Sequence, residues 1–217
     1  MKKKYVEYDK IAVNHNELAQ EALNIDSKTR SNLFAWNGQF SPQFVETILQ
    51  KYTKPGDLIV DPFLGSGTTL AECIRLGLPA YGIELNAAPY YMAKTYELAN
   101  VKHKIRNEIM LELSEHIQSI SSQDQILPTL LEIIDKSDNQ YKSNIICTLI
   151  VMLDIYNNEI SFDLLSKKWK DLFGIVSSLP YSEARITAEM GDSRKLSLDD
   201  NAATFLLTSP PYINVFN

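Results

Sequence analysis

Cysteine is scarce in this chain, two among 217 residues, and so few exclude a disulfide framework. Long apolar runs are missing as well. The most apolar window, Ile145 to Leu153, falls far short of the roughly 20 residues that a membrane helix needs. The opening Met-Lys-Lys-Lys leads into polar and charged residues instead of an apolar stretch, so it does not read as a secretory leader. By elimination the expectation is a cytoplasmic protein with no membrane partner. Positive charge is also in short supply, with 21 Lys and Arg against 27 Asp and Glu and a net charge of −6. That balance argues against the chain forming a complete polyanion-binding surface by itself. The lysines at 2 to 4 and at 167, 168 and 170 read best as solvated termini and helix faces. No internal repeat or low-complexity tract is visible.

What is present is the composition of a globular α/β protein. The apolar content of 45% is ordinary, and a chain of this length buries roughly 70% of its unfolded surface as one domain. The most informative stretch is Asp61-Pro62-Phe63-Leu64-Gly65-Ser66-Gly67-Thr68-Thr69-Leu70. It follows the apolar run Leu58 to Val60 and leads into a helix-forming segment, the strand, glycine turn and helix of a nucleotide site. Gly65 and Gly67 permit positive φ and close backbone approach to a ligand. No lysine follows Gly67, which excludes a phosphate-binding loop of the ATPase type, and Leu70 stands where a dinucleotide fingerprint would carry its third glycine. Glu84, at the end of the next apolar stretch (Ala80 to Ile83), is placed to accept both ribose hydroxyls of an adenosine ligand.

The string DPFLGSGTT followed by GIELN resembles the first two motifs of the amino-group DNA methyltransferases, which transfer methyl from S-adenosylmethionine to the exocyclic nitrogen of cytosine or adenine. The resemblance extends upstream to Phe34, Trp36, Phe40, Ser41-Pro42 and Phe44, similar to the family's motif on the methionine side of the cofactor. Downstream, Gly191-Asp192-Ser193-Arg194 resembles the third motif, whose acid accepts a hydrogen bond from the adenine amino group. Phe205 to Thr208 reads as a buried strand running into Ser209-Pro210-Pro211-Tyr212, which resembles the catalytic motif. The resemblance therefore implies S-adenosylmethionine as cofactor. It would be held by Phe34, Trp36, Asp61, Pro62, Phe63, Gly65, Ser66, Gly67, Thr68, Thr69, Glu84, Asp192 and Ser193, with Ser209, Pro210, Pro211 and Tyr212 catalytic and DNA as partner.

Physical chemistry explains the use of such a tetrapeptide. A base amine is a poor nucleophile because its lone pair is delocalised into the ring, so the site must accept its protons as positive charge develops. Two consecutive prolines remove two backbone N–H donors and fix φ, leaving carbonyl acceptors on a rigid segment. Preorganised acceptors aimed at developing charge are usually the largest catalytic contribution. By the resemblance, Ser209 and the Pro210 carbonyl would hold the amine, and Tyr212 would stack on a base flipped out of the duplex. Neither a metal nor a covalent intermediate is required. Methylation at cytosine C5 would need a cysteine nucleophile, whereas Cys73 and Cys147 read as small buried residues on helices. Ser-Pro-Pro-Tyr favours cytosine N4 over adenine N6 within the family, in a restriction-modification context. A non-catalytic cofactor-binding remnant and an enzyme acting on RNA guanine stay open beside that reading.

The expected architecture is a Rossmann-like class I methyltransferase sheet, incomplete after its fourth strand, with an all-helical insertion. Residues 1–33 form a polar lead-in with a short helix near Asn16 to Ala22, and 34–103 form the cofactor-binding part. Within that part, Ser41-Pro42 starts a helix to about Tyr52, and a second helix runs from Thr68 to Leu76, closed by Gly77. Over 104–180, helical periodicity takes over: Ile105, Ile109, Leu113, Ile117 and Ile120, then Leu127, Leu130, Leu131 and Ile134. A central helix over Tyr141 to Tyr156 and a fourth over Phe162 to Val176 complete an insertion whose simplest role is to cover the sheet. Residues 181–217 return to the sheet with the catalytic motif. Only four strands precede Asn217, so the expectation is a truncated chain or the N-terminal subunit of a split enzyme. The second option calls for another polypeptide to supply further strands against an exposed apolar edge.

Overall fold

The computed structural model describes residues 18–24, 31–35 and 38–210. Four parallel strands form one sheet in the order β3-β2-β1-β4, with β1 at Ile59–Asp61, β2 at Ala80–Glu84, β3 at Ile186–Met190 and β4 at Phe205–Leu206. The register pairs Ile59 with Ala80 and with Phe205, and Ala80 with Ile186. Every residue of β1 is buried, as befits a central strand covered on both faces. The short helix α1 spans Gln20–Leu23, and α2, Pro42–Tyr52, begins with proline in its first turn where a missing N–H costs nothing. Helix α3, Thr68–Leu76, lies between left-handed glycines. Beyond its end Gly77, at φ 68°, turns the chain so that its N–H and that of Leu78 donate to the Ile74 and Cys73 carbonyls.

Helix α4, Ala87–Lys94, continues into a 3-10 turn, Thr95–Asn100, and the four helices of the insertion follow. These are α5 (His103–Gln118), α6 (Ile126–Lys136), α7 (Gln140–Leu153) and α8 (Phe162–Ser178). They share one apolar core with the sheet's first face. Helix α7 packs against α4 and the 3-10 turn, and these rest on β3. Thr148 fixes that contact, its hydroxyl donating to the Tyr91 carbonyl at 2.8 Å and lying 3.0 Å from the Thr95 hydroxyl. On the opposite face Val60, Tyr81 and Ile83 form a small cluster with Leu58 and Leu198. Among the described residues, no helix is long and apolar enough to cross a membrane.

Several expectations need correction. The stretch read as a buried strand from Phe205 to Thr208 is a two-residue strand at the sheet edge, and Leu206 is 61% exposed because nothing among the described residues covers it. Ile105 and Leu131 repeat at helical spacing yet face solvent, while Arg106 is buried. Helix α7 stops at Leu153, where Asp154 adopts a left-handed conformation, and Tyr156 is exposed beyond it. Cys147 is only half-buried. Of the expected lead-in helix, Leu18 and Ala19 precede α1 without being helical, and Asn16 and Glu17 lie outside the described residues.

Candidate functional site

In an open parallel sheet, ligands bind outside the carboxyl ends of the strands where the strand order reverses. Here that point lies between β1 and β4, and a cavity of about 790 Å³ opens there. It is floored by the residues that follow β1 and β2, walled by Gly191 to Arg194 after β3, and reached by Ser209 and Pro210 after β4. Its size is within the roughly 300–1,000 Å³ typical of small-molecule sites.

The glycine turn is built by short-range bonds. Leu64 N donates to the Ile83 carbonyl and Gly67 N to the Leu64 carbonyl, each at 3.1 Å. Gly67 precedes α3 at φ 93°, and a Cβ there would lie 2.8 Å from the Tyr96 ring. Backbone conformation and packing thus both call for glycine. The residues around it are tied to the upstream segment. The Gln39 amide donates to the Ser66 hydroxyl and, at 2.8 Å, to the Phe34 carbonyl. The Thr68 hydroxyl donates to the Asn32 side chain at 3.0 Å.

Acidic groups sit at three strand ends. Asp61 is 2% exposed; burial, the larger influence, raises its pKa, while hydrogen bonds from Thr69, Thr208 and the Phe63 amide pull it down. Glu84 accepts from Gly65 N through one oxygen (2.8 Å) and from Asn86 N through the other (2.9 Å). Each of those oxygens keeps a lone pair for a further donor. Asp192 accepts from Arg194 Nε at 3.0 and 2.9 Å and from Arg194 N at 2.9 Å. These bonds, the side-chain ones first, hold its carboxyl down to about 2, so it stays ionised at any working pH.

The structure brings most of the expected site residues to one cavity: Asp61, Pro62, Phe63, Gly65, Ser66, Thr68, Thr69, Glu84, Asp192, Ser193, Ser209 and Pro210. Gly67 is buried beneath the turn. Phe34 lies in the core, 2% exposed and edge-on to Tyr96 at 5.9 Å, because the upstream segment turns its ring inward. Trp36, Pro211 and Tyr212 lie outside the described residues. Sequence reasoning missed Gln39, Leu85, Asn86 and Pro89 on the cavity wall. Leu85 carried a signal, an apolar residue immediately past a strand end, and it is 68% exposed. Gln39 carried none, since its place depends on a segment folding back over the turn. Cys73 is fully buried and burial pushes its thiol pKa far up, which leaves it unsuited to nucleophilic attack.

Residues 1–95 match the N6_N4_Mtase family, described as DNA methylase. The Type II methyltransferase M.MjaII of Methanocaldococcus jannaschii is 28% identical over 163 residues, which cover 72% of this chain and 29% of that protein. The chain thus spans less than a third of that relative's length. Among solved structures, the rRNA methyltransferase aviRa from Streptomyces viridochromogenes aligns with a TM-score of 0.32 and 14% identity, covering 74% of this chain and 53% of that one. The N-terminal region of this chain therefore matches the DNA methylase family, consistent with the superfamily of S-adenosylmethionine-dependent amino-methyltransferases.

Proposed function

We propose that this chain carries the cofactor site and catalytic motif of a DNA methyltransferase acting on an exocyclic base amine, cytosine N4, within a restriction-modification system. The observation that carries this reading is a single cavity lined by the glycine turn, Glu84, Asp192 and the Ser209-Pro210 pair. The residues suit S-adenosylmethionine. Glu84 offers two oxygens to ribose hydroxyls, exposed Leu85 offers an apolar surface to an adenine ring, and Asp192 an ionised acceptor to its amino group. Gly65, having no side chain, lets the methionine end of the cofactor approach the turn closely.

When bound, S-adenosylmethionine supplies an electrophilic methyl on a positively charged sulfur. The chain's own part is to bind, orient and accept protons. Ser209 and the Pro210 carbonyl accept from the target amine, favouring the pyramidal nitrogen whose lone pair attacks in line. Pro211, with no N–H, adds no competing donor, and Tyr212 stacks on the flipped base. The exposed edge at Leu206 is the seat we assign to further strands, supplied by a second polypeptide. The Ser-Pro-Pro-Tyr spelling and the match of residues 1–95 to the DNA methylase family support DNA as the substrate.

The test is transfer of labelled methyl from S-adenosylmethionine to unmethylated DNA, with the chain alone and with a complementing polypeptide, followed by nucleoside analysis. Label in N4-methylcytosine is expected. Label in N6-methyladenine would reassign the base. Cofactor binding with no transfer under either condition would make the chain a binding module.

A further inference from the structure

Asp61 lines the cavity, yet both its carboxylate oxygens are turned towards donors of the protein itself. The Thr69 hydroxyl, in the first turn of α3, donates to Oδ2 at 2.7 Å. The Phe63 amide donates to Oδ1 at 3.1 Å. The third donor comes from far along the chain: the Thr208 hydroxyl reaches the same Oδ1 at 2.7 Å across 147 residues. Thr208 is the residue immediately before Ser209 and Pro210. The strand pairing of β4 gives out just there, its last backbone bond running from Leu207 N to the Val60 carbonyl at 3.1 Å. Among the described residues, the next fixed point along the chain is the Thr208 hydroxyl on Asp61.

One buried carboxylate therefore joins the start of α3, the glycine turn and the segment carrying Ser209 and Pro210. We infer that Asp61 and Thr208 are positioning residues, whose hydrogen bond sets Ser209 and the Pro210 carbonyl against the cofactor turn. The inference rests on the reading of Ser209-Pro210 as the amine-holding pair, and it replaces direct cofactor contact as the role of Asp61. Alignment of two reacting groups is sensitive to such a link, because a misplacement of about 1 Å costs on the order of 100-fold in rate. The carboxylate is also well held for the task. Burial, the larger influence, raises its pKa with the nearby Glu84 charge adding to the rise, and the three donors offset part of it.

The test compares Thr208→Val, which keeps the shape and loses the hydroxyl, with Thr208→Ser, which keeps the hydroxyl. Both are measured in the full chain with whichever complementing polypeptide supports transfer. Thr208→Val should lower kcat by about 10- to 100-fold while the KM and equilibrium Kd for S-adenosylmethionine and the Tm stay close to the parent's. Thr208→Ser should restore kcat. A readout independent of turnover is the carbon-13 titration of the Asp61 carboxyl, which should move to higher pH in Thr208→Val and return in Thr208→Ser. Unchanged kcat in Thr208→Val would overturn the inference. So would a loss of kcat that tracks losses in Tm and cofactor affinity and that serine does not rescue. A parent protein without transfer would instead sink the functional reading beneath it, so the two failures are told apart.

Discussion

A single missing methyl group decides whether the turn after β1 can close. At Gly82, in the middle of β2, an added Cβ would lie 2.5 Å from Leu64 Cδ1 and 2.7 Å from Cδ2, and Leu64 is itself buried at the turn. Leu64 also donates its backbone N–H to the Ile83 carbonyl, so pushing its side chain away displaces a cavity-lining residue. Gly82→Ala should destabilise the fold by about 1–3 kcal/mol, the usual cost of overpacking, and weaken cofactor affinity as well. Adding Leu64→Ala should recover part of both losses, because the pair share one contact. Urea denaturation and equilibrium binding of the three variants would decide it, and simple additivity of the two changes would refute the steric account. Nothing local in Tyr81-Gly82-Ile83 marks this glycine as different from any other in a strand. Its need arises from a residue on the neighbouring turn.

Elements were easier to read than their orientations. Helix α3 and the strands on either side of it were legible because glycines punctuate both helix ends and apolar runs flank them. Of the four insertion helices, α5 and α6 were legible from spacing, and α7 and α8 as apolar stretches, with the end of α7 placed too late. Which face each buries was not, since Ile105 faces out while its neighbour Arg106 is 1% exposed. The reason lies at the far end of α8. Arg106 donates to the Leu179 carbonyl at 2.8 Å and to the Val176 carbonyl at 3.3 Å, satisfying acceptors that the helix cannot pair itself and placing a cation at the negative end of its dipole. Arg106→Ala should therefore cost about 2–3 kcal/mol by leaving buried carbonyls unpaired. Arg106→Lys should recover part of the loss, because a single nitrogen, Nη1, makes both carbonyl bonds, although an ammonium cannot also keep the Nη2 contact to His103 Nδ1. Chemical denaturation measures both, and hydrogen exchange should show α8 opening at its C-terminal turn first. A neutral Arg106→Ala would mean that water caps α8 equally well.

At the scale of the whole molecule, the lining of the candidate cavity was legible wherever it is written in consecutive residues, and obscure wherever the fold supplies it. The glycine turn, Glu84, Asp192 and Ser209-Pro210 could be picked out as strings, and the parallel sheet gathers them at one end. The bond from Thr208 to Asp61 could not, because 147 residues and six α-helices separate its partners. Charge is the one whole-molecule property that the sequence states outright. A net charge of −6 does not match the electrostatic footprint of duplex binding, which rests on lysine and arginine releasing counterions from phosphate. If the cavity serves a base drawn out of DNA, most of the phosphate contacts must come from protein beyond this surface, and the β4 edge at Leu206, uncovered among the described residues, is where we seat it. The chain alone should accordingly bind unmethylated duplex no more tightly than non-specific association, about 10⁻⁴–10⁻⁶ M at physiological salt. Adding the complementing polypeptide should tighten binding and steepen its dependence on salt. Fluorescence anisotropy titrations at several salt concentrations would measure both. Nanomolar affinity of the isolated chain would show that its few lysines suffice, and would remove the electrostatic case for a second polypeptide.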